Sequence, residues 1–158
     1  MKPLKYAVPL LALANPWAFA AEQTGTARIE LVGGGGGIVD PIEITEVTEI
    51  DFGLLANVNG ICTMSSGGVL SGPAGMNCND TETPGEFLLT GTDGAVVEID
   101  VTGGQTVDGV TFNPALDGDA LRALSGGNTT VNVVGNIELN NATSGVKDIP
   151  YTFTVNYQ

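Results

Sequence analysis

Apolar side chains in this sequence recur at every second position, the signature of strands with one face in a core and the other in water. The pattern is cleanest at the C terminus. There Ile149, Tyr151, Phe153, Val155 and Tyr157 alternate with polar residues at the even positions from 152 to 158. Pro150 stands near the start of that run, where a missing N–H is tolerated at a sheet edge. Further strands are expected over residues 42–50, 87–89, 95–101, 106–112, 130–134 and 137–139, bounded by Gly, Asn or Asp. Asp93-Gly94, between two of these runs, reads as a hairpin turn. Only residues 118–124 are compatible with a helical turn, and residues 65–79, rich in Gly and Ser, read as a surface loop around the cysteines. Short strands at regular spacing predict an all-β sandwich.

Residues 1–20 stand apart from this pattern. Lys2 and Lys5 open a basic start, residues 6–14 are apolar, and Ala18-Phe19-Ala20 forms a small-x-small cleavage site. This is the pattern of a secretory signal peptide, too short for a membrane span, and no other segment is apolar enough for one. The expected product is exported and soluble, a single domain large enough for a core. Past residue 20, three cations face eighteen carboxylate side chains, a net charge of −15. Nucleic acid is thereby excluded as a partner, since binding phosphates needs cations, and anionic membranes are disfavoured. The acidity reads as solubility and mutual repulsion. Cys62 and Cys78 are the only cysteines, and an even pair in an exported chain predicts a disulfide.

Catalytic and cofactor chemistry is not expected. With no histidine, Ser–His and Cys–His pairs cannot form and the usual neutral-pH base is missing. Two thiolates alone do not make a zinc site. Glu43, Glu46, Glu49 and Asp51 read as a solvated strand face. Neither the stretch around Asp117 and Asp119 nor that from Asn79 to Glu82 fits the twelve-residue calcium loop. The glycines at 33–37 lack the Lys-Ser/Thr of a phosphate loop. No metal and no cofactor is predicted.

A short alternating segment precedes the body of the domain. Gly25, Ala27, Ile29 and Leu31 share one face; Thr26, Arg28 and Glu30 share the other. Gly33, Gly34, Gly35, Gly36 and Gly37 follow as a linker, and the body spans residues 38–158. Seven extended residues reach about 23 Å, the length of a sheet edge. A run of glycines imposes almost no direction on them, so residues 21–32 read as an extension able to pair outside their own domain.

Ile50-Asp51-Phe52-Gly53, Leu89-Thr90-Gly91, Val134-Gly135 and the ending from Tyr151 to Tyr157 resemble the bacterial domain-of-unknown-function family 4402. The chain also resembles pilins of the chaperone–usher pathway. Tyr157 is penultimate, Gly145 is fourteenth from the end, and Phe52-Gly53 follows the first body strand. That resemblance implies an immunoglobulin-like antiparallel β-sandwich, incomplete by one strand and completed by a donor strand from a neighbour. It casts Gly25, Ala27, Ile29 and Leu31 as the donor face, the five glycines as the hinge, and Gly145, Ile149, Tyr151, Phe153, Val155 and Tyr157 as the assembly strand. The implied partners are the chain itself, as a head-to-tail homopolymer, with a periplasmic chaperone and an outer-membrane usher. The implied setting is a cell-surface fimbrium serving adhesion or biofilm. The alternative is a self-contained secreted β-sandwich that binds carbohydrate or a surface. Exposed aromatics would favour that alternative, yet Trp17, the one tryptophan, lies in the signal peptide.

Overall fold

The computed structural model describes residues 40–158. The expected signal peptide, the donor face (Gly25, Ala27, Ile29, Leu31) and the glycine hinge therefore lie outside the described residues. Within them the protein is all-β and contains no helix. The strands are β1 (Glu43–Thr48), β2 (Gly60–Met64), β3 (Leu70–Ser71), β4 (Gly85–Thr90), β5 (Val96–Thr102), β6 (Thr106–Val107), β7 (Val110–Leu116), β8 (Leu121–Ala123), β9 (Asn128–Leu139) and β10 (Thr152–Tyr157). They form two antiparallel sheets packed as a sandwich. A seven-stranded sheet runs β1-β4-β9-β2-β3, with β7 also on β9 and β6 on β7; a three-stranded sheet runs β10-β5-β8.

β9 organises the larger sheet. Residues 130–134 and 137–139, expected as two strands, are one continuous strand. Its first half pairs with β4 and its second half with β2, while β7 takes the opposite edge; Val133 pairs with both Gly85 and Leu116. Gly135 makes the junction possible. It pairs with Pro114 and Met64 at a φ of 141°, and a Cβ there would run into the carbonyl of Asn113. Backbone on backbone leaves nothing to yield, so only glycine fits.

Asp-Gly turns divide the chain differently from expectation. Asp93-Gly94 does turn, with Ala95 N–H on the Thr92 carbonyl at 3.2 Å. However, β4 before it and β5 after it belong to different sheets, so it is a crossover rather than a hairpin. The hairpin lies at Asp108-Gly109, inside the expected strand 106–112. Both residues take positive φ (50° and 82°), and Val107 pairs with Val110. Positive φ at both central positions matches the twist of antiparallel strands.

Two further expectations are corrected. Residues 118–124 hold β8 rather than a helical turn, because pairing with β5 outweighs a short local preference. Residues 65–79 are not merely superficial: Leu70, Met76 and Cys78 are buried. β3 folds onto β2, and the cystine Cys62–Cys78, with Cα atoms 5.8 Å apart, ties the following loop to it. The predicted disulfide is present.

The core has two halves. One gathers Cys62, Met64, Leu70, Met76, Phe112 and Ile137 around the disulfide. The other places Ile42, Leu89 and Val131 of the larger sheet against Val97 and Ile99 of the smaller. Aromatics join them: Tyr151 meets Phe112 at 5.4 Å and Phe87 at 6.4 Å, both edge-on, and Phe153 stacks on Phe87 at 4.3 Å.

Candidate functional site

The C-terminal strand carries the alternation expected of it. Odd residues from Tyr151 to Tyr157 face the core and even ones face water. β10 itself spans Thr152–Tyr157. Ile149 and Tyr151 extend its buried face just upstream, packed against the disulfide half of the core. Gly145 is not on the strand: it sits in the preceding exposed loop at a φ of 116°.

β10 is an edge strand. Its one partner is β5, in a register that pairs Thr154 with Asp100 and Asn156 with Glu98, and the Gln158 N–H continues it onto the Val96 carbonyl at 3.0 Å. In an antiparallel ladder, alternate residues turn their backbone groups away from the partner. The 158–96 bond assigns that outward role to Phe153, Val155 and Tyr157, which find no backbone partner among the described residues. Their side chains enter the core only half-buried.

β1 borders the same opening from the other sheet. Ile44 pairs with Leu89 and Glu46 with Phe87, so both share the inward face of β4. β10 already lies against Phe87 through Phe153, and β1 is one strand further out. Ile44 remains 41% exposed although it faces inward. The register shifts between Glu46 and Thr48, where an extra residue bends the strand. Together, the unpaired edge of β10 and the exposed inner-face residues Ile44 and Glu46 of β1 mark a slot between the two sheet edges.

The slot's two ends differ. At one, the Tyr157 hydroxyl donates to the Asp40 carbonyl at 2.6 Å and accepts from the Thr92 N–H at 2.9 Å. Gly91 lets that hydroxyl in, since a Cβ there would collide with it. Ile42, buried in the half of the core that Val155 and Tyr157 pack against, makes this end apolar. Toward the other, the Tyr151 hydroxyl is enclosed in the core, off the open face, and has no hydrogen-bond partner. Burial first, then the nearby carboxylates of Glu46 and Glu49, push its pKa up to about 12.

Phe52-Gly53 forms a local lock away from the slot. The Gly53 N–H bonds Asp51 Oδ1 at 2.8 Å, and Asp51 bridges to Thr83. The Cys62–Cys78 bond lies in the other half of the core. A shallow depression beside it, lined by residues such as Pro73 and Asn77, carries no ionisable side chain. Among the described residues no group of three or more His, Cys, Asp or Glu side chains is placed to hold a metal. Sequence reasoning picked out β10 and read Glu46 only as part of a solvated strand face; it gave Ile42 and Ile44 no role beyond a strand. Their alternation was visible, but which neighbour lay beneath them was not.

The fold and this opening define an all-β antiparallel sandwich with an unpaired edge beside its last strand. No protein-family model, curated protein or solved structure matches the chain.

Proposed function

We propose that the protein is a structural subunit of an extracellular fimbria-like filament, polymerised head to tail by strand donation. Residues 25–31 of one copy enter the slot of the next. Gly25, Ala27, Ile29 and Leu31 face the core, and Gly33–Gly37 form the hinge between copies. The sandwich is on this reading an immunoglobulin-like one short of a strand, exported through the periplasm with the help of a chaperone and usher, and its filament supports adhesion or biofilm. The observation that carries the reading is the open edge of β10 beside the inward-facing, uncovered Ile44.

Open edges invite pairing, and an added strand completes both the ladder and the core. Burial of Ile29 and Leu31 would contribute about 1.5–3 kcal/mol each, and each ladder hydrogen bond about 1 kcal/mol net. Donor and acceptor are different surfaces, so the contact propagates as an open filament.

Sizing and negative-stain microscopy of the protein lacking its signal peptide, with and without residues 21–32, test the reading. Filaments that vanish on truncation and return with an added peptide of that segment are the expected result. A stable monomer that truncation merely unfolds would sink the proposal in favour of the self-contained secreted binding module.

A further inference from the structure

Burial drops by a step where β4 gives way to β1. Glu46, Phe87 and Val131 form one cross-strand row through β1, β4 and β9. Val131 is buried and Phe87 lies under the stacked ring of Phe153, while Glu46 is exposed. The neighbouring row repeats the step: Leu89 on β4 has no exposed surface, and its partner Ile44 on β1 is 41% exposed. Only Ile42, ahead of β1, is still covered. Val97 and Ile99 of β5 share a core half with Val131, so β5 lies on the β9 side and the unpaired edge of β10 on the β1 side. β1 therefore projects beyond that edge as a ledge. We infer that the ledge selects what can pair with β10: it admits a lone extended strand with an apolar residue over Ile44 and shuts out the edge of a second sandwich. The strand-donation reading supplies what enters; the ledge adds what is kept out.

β10 is in need of such a guard. Edge strands are commonly blunted by charge, by shortness or by irregular pairing. β1 carries Glu43, Glu46 and a register shift. β8 is three residues long with Arg122 at its centre, and β3 and β6 are two residues each. β10 has none of these protections: its six residues are uncharged and in unbroken register with β5. Its outward-facing Phe153, Val155 and Tyr157 are also symmetric about Val155. Two copies could thus align β10 antiparallel, Val155 on Val155 and Phe153 on Tyr157, with every outward N–H and C=O matched. Thr154 would stand opposite Asn156, and no like charges would meet along the seam.

Layering forbids that pairing. Neighbouring strands lie about 4.8 Å apart and packed sheets about 10 Å apart. The second copy's β10 would lie over the first copy's β1, yet beneath its own β10 the second copy carries its own β4. That β4 and the first copy's β1 would fill one space, and two-fold symmetry repeats the overlap on the other side. A lone strand brings no layer beneath it and lies over Ile44 without collision. On the strand-donation reading, Gly33–Gly37 separate such a strand from the sandwich that supplies it.

The test is sedimentation of the protein lacking its signal peptide and carrying Ile29→Asp and Leu31→Asp, which remove the donor's apolar face. It should stay monomeric as concentration rises and bind one added peptide of residues 25–31 per chain. Adding Thr45→Pro and Glu46→Pro unseats β1, since one of two neighbouring N–H groups faces β4. That chain should dimerise. A further Val155→Pro, which removes an outward N–H and spares the ladder to β5, should return it to monomer. A dimer formed with β1 intact and lost on Val155→Pro would overturn the inference, and this result reads out whether or not the proline variant folds. A monomer after β1 is unseated, with urea unfolding showing the fold retained, would overturn it too. Sizing as expected but no capture of the peptide would instead sink strand donation and leave the exclusion standing.

Discussion

The two halves of this core are closed by different means. Around Cys62, strands β2, β3, β7 and β9 and the disulfide loop enclose the side chains, and Cys62 and Met76 have no exposed surface. Along β10 the same alternation of apolar and polar residues leaves Phe153, Val155 and Tyr157 half-buried, because the smaller sheet stops there. Identical patterning thus yields a finished interior in one place and an unfinished one in the other. What separates them is whether another strand covers the side chains.

The comparison is broken most forcefully at its closed side. Phe112→Ala removes a 3%-exposed ring packed on Phe52 and Tyr151 and should cost about 3–5 kcal/mol in urea unfolding. Phe153→Ala should cost the isolated subunit less, and a loss as large would mean that the β10 side is already closed. Replacing Cys62 and Cys78 by Ser should cost about 3 kcal/mol, the chain-entropy value for a loop of this length. Strand capture at β10 should survive that change under stabilising conditions, since the bond lies in the other half of the core.

Tyr157→Phe tests the pin at the slot's apolar end. It strips partners from the Thr92 N–H and the Asp40 carbonyl, and a loss of about 1–2 kcal/mol is expected by thermal or urea denaturation. Smallest in the isolated subunit is Ile44→Thr, within about 0.5 kcal/mol for so exposed a position. The same change should weaken capture of an added peptide of residues 25–31. Unchanged capture would show that an incoming strand does not lie beneath β1.

Much of this was legible in the sequence. The C-terminal alternation located β10, and the cysteine pair located the disulfide. Most strands followed from period and turn residues, though β2 and β3 were not among them. Strand partnership did not: Asp93-Gly94 and Asp108-Gly109 are the same dipeptide, yet one crosses between sheets and the other closes a hairpin. Directly after Asp108-Gly109 the chain pairs back with itself, Val110 on Val107, whereas β4 is already flanked by β1 and β9. Likewise β8 was hidden, because three residues carry too little pattern to outweigh a plausible helical turn.

By itself the sequence determined the class of fold, the covalent bond between Cys62 and Cys78, and which face of β10 turns inward, since a period of two and a pair of thiols are local properties. Only the tertiary structure decided that β9 runs unbroken through Gly135, that Glu46 and Ile44 stay exposed on the inward face of β1, and that the Tyr151 hydroxyl is left without a partner. These depend on where sheets end and which strands lie opposite one another. Such choices are settled by the packing of residues far apart along the chain, and no short stretch of sequence contains them.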